Sequence, residues 1–88
     1  MAITAAFLSS AAALEAQSSD GRWRLRADAA ARVLLAVDAA SGEVRRRIPV
    51  ADKRGKASRV ARITDAPPRR SFVVLLADVA EAWELSYD

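Results

Sequence analysis

The pattern of apolar and polar positions predicts two groups of β-strands. Apolar and charged residues alternate in RWRLR, residues 22–26, which is typical of a strand with one solvated face. The run RVLLAVD, residues 32–38, is almost continuously apolar, as in a strand buried on both faces. After the turn AASG, where Gly42 tolerates positive φ, alternation resumes in EVRRRIPV, residues 43–50. Pro49 has no N–H to donate, so this third strand is expected at the outer edge of the sheet.

A polar linker, ADKRGKA at residues 51–57, separates this meander from a second group. Three further strands are predicted, at residues 58–64, 71–78 and 82–88. The first two are separated by DAPPRR, residues 65–70, in which two prolines fix φ and two arginines add charge. This stiff, basic corner is the most promising place for a ligand.

Residues 1–19, MAITAAFLSSAAALEAQSS, are rich in alanine and carry one charge, at Glu15. Alanine favours a helix, which is the first choice for this segment. The alternative is a strand over residues 11–17 that leads into the turn SSDG. The segment has a faint likeness to a signal peptide, but it lacks a basic N-terminal region and its apolar stretch is weak, so no clear export signal is assigned.

The composition excludes several kinds of chemistry. The chain has 88 residues, enough for one small domain, with no cysteine and no histidine. Disulfides, Cys/His zinc sites, c-type haem attachment and Ser-His-Asp or Cys-His catalysis are therefore ruled out. No apolar run reaches the roughly 18 residues that a membrane-spanning helix needs.

Basic residues are concentrated at residues 45–70, where they greatly outnumber Asp52 and Asp65. Such a block attracts anions, including nucleic acid, phosphate or a ligand with carboxylates. It is equally consistent with solvated charges on loops and edge strands that deter edge-to-edge pairing. Nucleic acid is not the expected partner, because the basic residues alternate with core positions and aromatic residues are not interleaved with them.

The two groups repeat at a spacing of roughly 45 residues, a period typical of propeller blades. The first group, residues 20–50, contains SSDGRW, the strand VLLAVD, the turn AASG and the ending IPV, and it resembles the repeats of bacterial YVTN-type propellers. The second group, residues 58–88, is read as an incomplete blade. We therefore expect a mainly β fold of antiparallel, four-stranded blade-like meanders, one to two blades of a β-propeller; a generic small β-domain is the alternative.

The second group resembles the haem d1 propeller domain of cytochrome cd-type nitrite reductases and their relatives in haem d1 biosynthesis. The resemblance is carried by RVA at residues 59–61, by Arg69 and Phe72 around the corner, by the Val73–Val74 pair, and by WELSYD at residues 83–88. It implies a periplasmic protein whose ligand is haem d1 or a precursor of it.

The resemblance also implies roles for particular residues. The loop equivalent to DAPPRR faces the macrocycle in the family, and the histidine that the reductases carry there falls on Pro67. Proline cannot titrate, so reductive chemistry by this chain alone is not expected; no catalytic or metal-binding residue is assigned, and whether it is an enzyme stays open.

Because arginine binds carboxylates through two parallel hydrogen bonds, Arg59, Arg69 and Arg70 are nominated as contacts for the carboxylates of the tetrapyrrole. The aromatic residues are instead expected in the core between blades: Trp23, Phe72, Trp83 and Tyr87.

A closed propeller needs several blades, and this sequence supplies at most two. A fragment of a longer protein, a truncated gene product or a piece that assembles with others is expected, with self-association through open edges and an apolar flank. The leading function is a partial haem d1-type propeller, non-catalytic alone, linked to denitrification. The alternative is a cofactor-free propeller fragment used for structure or protein contacts.

Overall fold

The computed structural model describes residues 14–88, which fold into seven strands and one turn of 3₁₀ helix. The elements are β1 (Glu15–Gln17), β2 (Trp23–Asp28), β3 (Val33–Asp38), β4 (Val44–Pro49), β5 (Val60–Ala66), the 3₁₀ turn (Pro67–Arg69), β6 (Ser71–Leu76) and β7 (Ala82–Ser86).

The strands form two antiparallel sheets, here called the first and second blades. The first blade has four strands in the order β1-β2-β3-β4, and the second has three in the order β5-β6-β7. The continuously apolar β3 lies inside the first blade, while β4, which contains Pro49, lies at its edge. Both placements were predicted, because burial on two faces requires an apolar run and an edge strand tolerates a residue without an N–H.

The helix predicted for residues 1–19 is wrong where the structure tests it, since β1 is a strand. Ala16 pairs with Leu25 across the β1–β2 ladder, and the Ala27 N–H donates to the Leu14 carbonyl over 3.0 Å. Helix propensity is worth less than about 1 kcal/mol per residue, so a ladder with an apolar face outweighs it. The alternative of a first strand holds for Glu15–Gln17; the prediction for residues 1–13 lies outside the described residues.

The two blades pack face to face around one apolar core. Its buried members come from both sheets and from Val50, which follows β4: Leu25, Leu34, Val50, Ile63, Phe72, Val74 and Leu76. The other three aromatic side chains, Trp23, Trp83 and Tyr87, pack against this cluster as expected. The first strands of the two sheets, β1 and β5, lie next to each other, which is the arrangement of adjacent blades in a propeller.

Two ends of this sandwich are distinguished below. The turn between β1 and β2, the turn between β3 and β4 and the corner between β5 and β6 share one end, here called the corner rim. The turn between β2 and β3, the connection from β4 to β5 and the turn between β6 and β7 share the other, here called the opposite rim.

Candidate functional site

The corner is a short, rigid element. Pro67 and Pro68 occupy the start of the 3₁₀ turn, where a missing N–H costs nothing. Arg70 closes it in the left-handed conformation, with φ of 49°, and its N–H donates to the Pro67 carbonyl over 3.0 Å. The Ser71 hydroxyl donates to the Arg69 carbonyl over 3.0 Å. The polypeptide at this bend is therefore held by proline rings and hydrogen bonds before any ligand arrives.

Arg69 projects from the corner with its side chain 67% exposed. Its Nε donates to Glu84 Oε2 over 2.9 Å and its Nη2 lies 2.9 Å from Glu84 Oε1, a bidentate ion pair with a residue of β7. This bond raises the pKa of Arg69 and lowers the pKa of Glu84. A guanidinium has five N–H donors, so the pair with Glu84 leaves three that a second carboxylate can accept from.

Arg70 is more fully engaged. Its Nε donates to Asp88 Oδ1 over 2.9 Å, its Nη2 lies 3.4 Å from Asp20 Oδ2, and its Cζ stands 5.8 Å from the centre of the Tyr87 ring. The Arg70 side chain is 48% exposed, against 67% for Arg69. The two arginines differ chiefly in their partners, because Arg70 contacts both blades whereas Arg69 pairs with its own blade.

Arg59 does not lie beside the corner, and this sequence-based expectation is wrong. It immediately precedes β5, at the opposite rim, so the seven residues of that strand separate it from the corner by roughly 20 Å. There it donates from Nη2 to Asp78 Oδ1 over 2.7 Å and from Nε to Asp78 Oδ2 over 3.1 Å. This pairing raises the pKa of Arg59 and holds the pKa of Asp78 well below its usual range. The expectation overlooked the length of the strand predicted at residues 58–64, since an extended strand carries its first and last residues to opposite ends of a sheet.

The basic stretch at residues 45–70 does not form a single surface. Arg45, beside the first blade's edge, lies 3.6 Å from Asp38 and 3.4 Å from Glu43. Arg59 is at the opposite rim and Arg69 is at the corner rim. Arginines of this block thus form separate, local ion pairs, which is the behaviour expected of solvated charges on edges and loops.

A cleft of about 390 Å³ opens between the blades, bounded by β4 on one side and β7 on the other. Apolar side chains line its floor, and Arg46 and Asp88 stand among its polar lining. This cleft was not predicted from the sequence, because it exists only once residues of two sheets face each other. The apolar lining residues include Trp23, Leu25, Ile48, Phe72 and Leu85.

Residues 14–88 contain neither a metal-binding cluster of side chains nor a helix that could span a membrane. No group of three or more acidic, histidine or cysteine residues there is placed to hold a metal ion. No helix in that part of the chain is long and apolar enough to cross a bilayer. An axial histidine for a haem iron is ruled out for the whole chain, because the sequence contains none.

Comparison with known proteins places these blades in a family. The model of the family described as "Cytochrome D1 heme domain" matches residues 7–88. A dihydro-heme d1 dehydrogenase of Pseudomonas aeruginosa is 49% identical over 72 residues, covering 82% of this chain and 15% of that protein. The solved structure titled "Dihydro-heme d1 dehydrogenase NirN in complex with DHE" superposes with a TM-score of 0.80 at 48% identity, covering 83% of this chain and 16% of that one.

These matches confirm the resemblance stated from the sequence. They also agree with the fold, since two antiparallel blades with adjacent inner strands are a fragment of a β-propeller. The chain spans about 15% of the length of the curated relative it matches. The protein belongs to the cytochrome D1 heme domain family.

Proposed function

We propose that the protein supplies part of a haem d1-type propeller and binds haem d1 or a precursor of it at the corner rim, without catalysing reduction by itself. The observation that carries the proposal is Arg69, an exposed guanidinium on a proline-stiffened corner with donors left over from its ion pair. The relatives add support, because one is named a dihydro-heme d1 dehydrogenase and the matching structure holds DHE.

The residues of the corner fit one part of this ligand, its carboxylates. Arginine forms planar, bidentate, charge-assisted bonds with a carboxylate, and these are about twice as strong as bonds between neutral groups. When bound, the tetrapyrrole supplies the redox-active centre of the complete propeller. Arg69 would hold and orient the edge of the macrocycle, while a histidine ligand for the iron would have to come from outside this sequence, which contains no histidine.

The corner's rigidity bears on affinity as well as on placement. Ordering a mobile side chain and loop on binding costs about 0.5–1.5 kcal/mol for each immobilised side chain. Pro67 and Pro68 fix their own φ angles, and the Arg70 N–H closes the turn onto the Pro67 carbonyl. The ordering of the loop backbone has therefore taken place in the free protein.

The three nominated arginines take unequal parts in the proposal. Arg69 is the direct contact, whereas Arg70 is paired with Asp88 and Asp20 and takes a supporting part. Arg59 remains a predicted contact only for a ligand that reaches the opposite rim, because a carboxylate held at the corner is roughly 20 Å away. A periplasmic location and association with further blades, from a longer chain or from other copies, complete the proposal by analogy with the family.

A second function is favoured by a specific observation. All three nominated guanidiniums are already paired with carboxylates of the same chain, as they would be in blades that carry no cofactor. In that case the protein is a structural or protein-interaction module, and its arginines only stabilise the rims.

Titration with haem d1, followed by absorbance, separates the two functions. We expect the wild-type chain to bind, and we expect Arg69→Gln to weaken binding roughly tenfold, since a hydrogen bond to a charged group contributes about 1.5–3 kcal/mol. Arg47→Gln, on the edge strand β4, removes the same charge away from the corner and should change affinity by less than about twofold. No binding by the wild type would favour the cofactor-free module, and equal losses in the two variants would contradict the role of Arg69 as a direct contact.

A further inference from the structure

Polar contacts join the two blades at the corner rim. Asp20 and Ser19, in the turn between β1 and β2 of the first blade, face Arg70 and Tyr87 of the second. Asp20 Oδ2 lies 3.4 Å from Arg70 Nη2, and the Ser19 and Tyr87 hydroxyls are 3.1 Å apart. The Tyr87 hydroxyl also donates to Asp65 Oδ1 over 2.8 Å, which ties the group to the end of β5.

Each side of this contact is braced within its own blade. Asp20 Oδ1 accepts from the Ser18 hydroxyl and from the Arg22 N–H, the latter over 3.0 Å, so Oδ2 is aimed at the second blade. On the other side, the Tyr87 N–H donates to the Arg70 carbonyl over 3.0 Å. The Asp20 side chain is only 19% exposed, which reduces the screening of its attraction for Arg70.

The backbone at Arg70 needs such support. Its φ of 49° is in the left-handed region, which is unfavourable for a residue with a Cβ and persists where surrounding contacts hold it. Arg70 directly follows the 3₁₀ turn, so its conformation sets the direction in which the corner leaves β5 and enters β6. Whatever fixes Arg70 therefore also fixes the neighbouring Arg69.

We propose that Asp20 and Arg70 form a latch between the blades, and that Arg70 is a positioning residue which orients Arg69 toward the ligand. The positioning role rests on the proposed function, whereas the latch itself does not. The latch assigns Asp20 a part in binding an anionic ligand, although its own charge repels that ligand.

The Asp20→Asn substitution is a sharp test, because the latch and simple charge repulsion predict opposite changes in affinity for haem d1. Asparagine keeps an oxygen that accepts from Ser18 and Arg22 but loses the charge that attracts Arg70. Electrostatics alone predicts tighter binding of an anionic tetrapyrrole once a nearby carboxylate is neutralised. The latch predicts the reverse, a loss of about three- to tenfold in affinity for haem d1, because the corner is released.

Asp38→Asn is the matched control. Asp38 lies on the same rim, accepts from backbone N–H groups of its own turn, and pairs with Arg45 of its own blade. The Asp38→Asn substitution removes the same charge without altering a contact to the second blade, so we expect unchanged or slightly tighter binding of haem d1.

A readout independent of the ligand is hydrogen exchange at the Arg70 amide, which is bonded to the Pro67 carbonyl. We expect exchange there to accelerate severalfold in Asp20→Asn and not in Asp38→Asn. Unchanged exchange in Asp20→Asn would overturn the latch whatever the affinity. Faster exchange with unchanged or tighter haem d1 binding would overturn the positioning role. Faster exchange in a chain whose wild type does not bind haem d1 would support the latch and contradict the proposed function instead.

Discussion

The guanidinium of Arg70 lies 3.4 Å from the carboxylate of Asp20, joining two blades across 50 positions of sequence. Its neighbour Arg69 pairs with Glu84 of its own blade and is 67% exposed. Two adjacent arginines on one corner thus have different partners, one within its own blade and one across the two blades.

The buried core should dominate stability. Leu34 on β3 is fully buried between the blades, and Leu34→Ala is expected to reduce the free energy of unfolding by about 2–5 kcal/mol through lost burial and the cavity left behind. Leu75→Ala is the control, because that side chain is 42% exposed, and it should cost less than about 1 kcal/mol. Urea denaturation measures both, and similar midpoints for the two variants would contradict the packing described here.

The prolines of the corner are expected to act through the unfolded chain. Pro67→Ala should lower the free energy of unfolding by about 0.4–1 kcal/mol, since alanine has more backbone freedom to lose on folding. It should also weaken haem d1 binding by a few fold, because the corner that carries Arg69 becomes less rigid. Calorimetric unfolding together with absorbance titration checks both effects. Greater stability in Pro67→Ala would show that the turn is strained by the proline.

Acid should release the ion pair at the opposite rim. The pKa of Asp78 is lowered in the folded protein, chiefly by its hydrogen bonds from Arg59, so this pair contributes stability above the ordinary carboxyl pKa near 4. That contribution is lost as pH falls further, through the folded-state pKa. Asp78→Asn should therefore destabilise the protein at pH 7 and have a smaller effect at pH 3, as measured by urea denaturation. Glu43→Gln, at a 67% exposed side chain, should show little dependence on pH.

Freeing Arg69 from its partner should strengthen ligand binding. Glu84→Gln removes the carboxylate that occupies two donors of Arg69 and the negative charge beside the proposed ligand. We expect affinity for haem d1 to rise about two- to fivefold, since the salt bridge is exposed and worth less than about 1 kcal/mol. Weaker binding would mean that Glu84 is needed to orient Arg69, which would shift the role of this pair from competition to positioning.

Much of this fold was predictable because periodicity reports burial directly. The apolar run of β3 and the proline at the end of β4 placed one strand inside the sheet and the other at its edge. Local propensity misled at Glu15–Gln17, where alanine suggested a helix but a ladder to β2 was available. The sequence did not show that β2 would lie beside this segment and pair with it.

In the candidate site too, the features set by local sequence were predictable and the features set by packing of the two sheets were not. The stiffness of the corner follows from Pro67 and Pro68 alone, and it was predicted. The separation of Arg59 from the corner follows from the extended strand between them, which the strand predicted at residues 58–64 already implied. The link from Asp20 to Arg70 depends on how two sheets face each other, and it has no signature within a short stretch of sequence.

The proposed recognition of tetrapyrrole carboxylates by Arg69 can be tested by changing the carboxylates and the arginine in turn. Binding of haem d1 with free carboxylates should be compared with binding of its methyl ester, for the wild type and for Arg69→Gln, by absorbance titration. Esterification is expected to weaken binding to the wild type roughly tenfold and to have little further effect on Arg69→Gln, because both changes remove the same ion pair. Equal losses on esterification in the two proteins would contradict it.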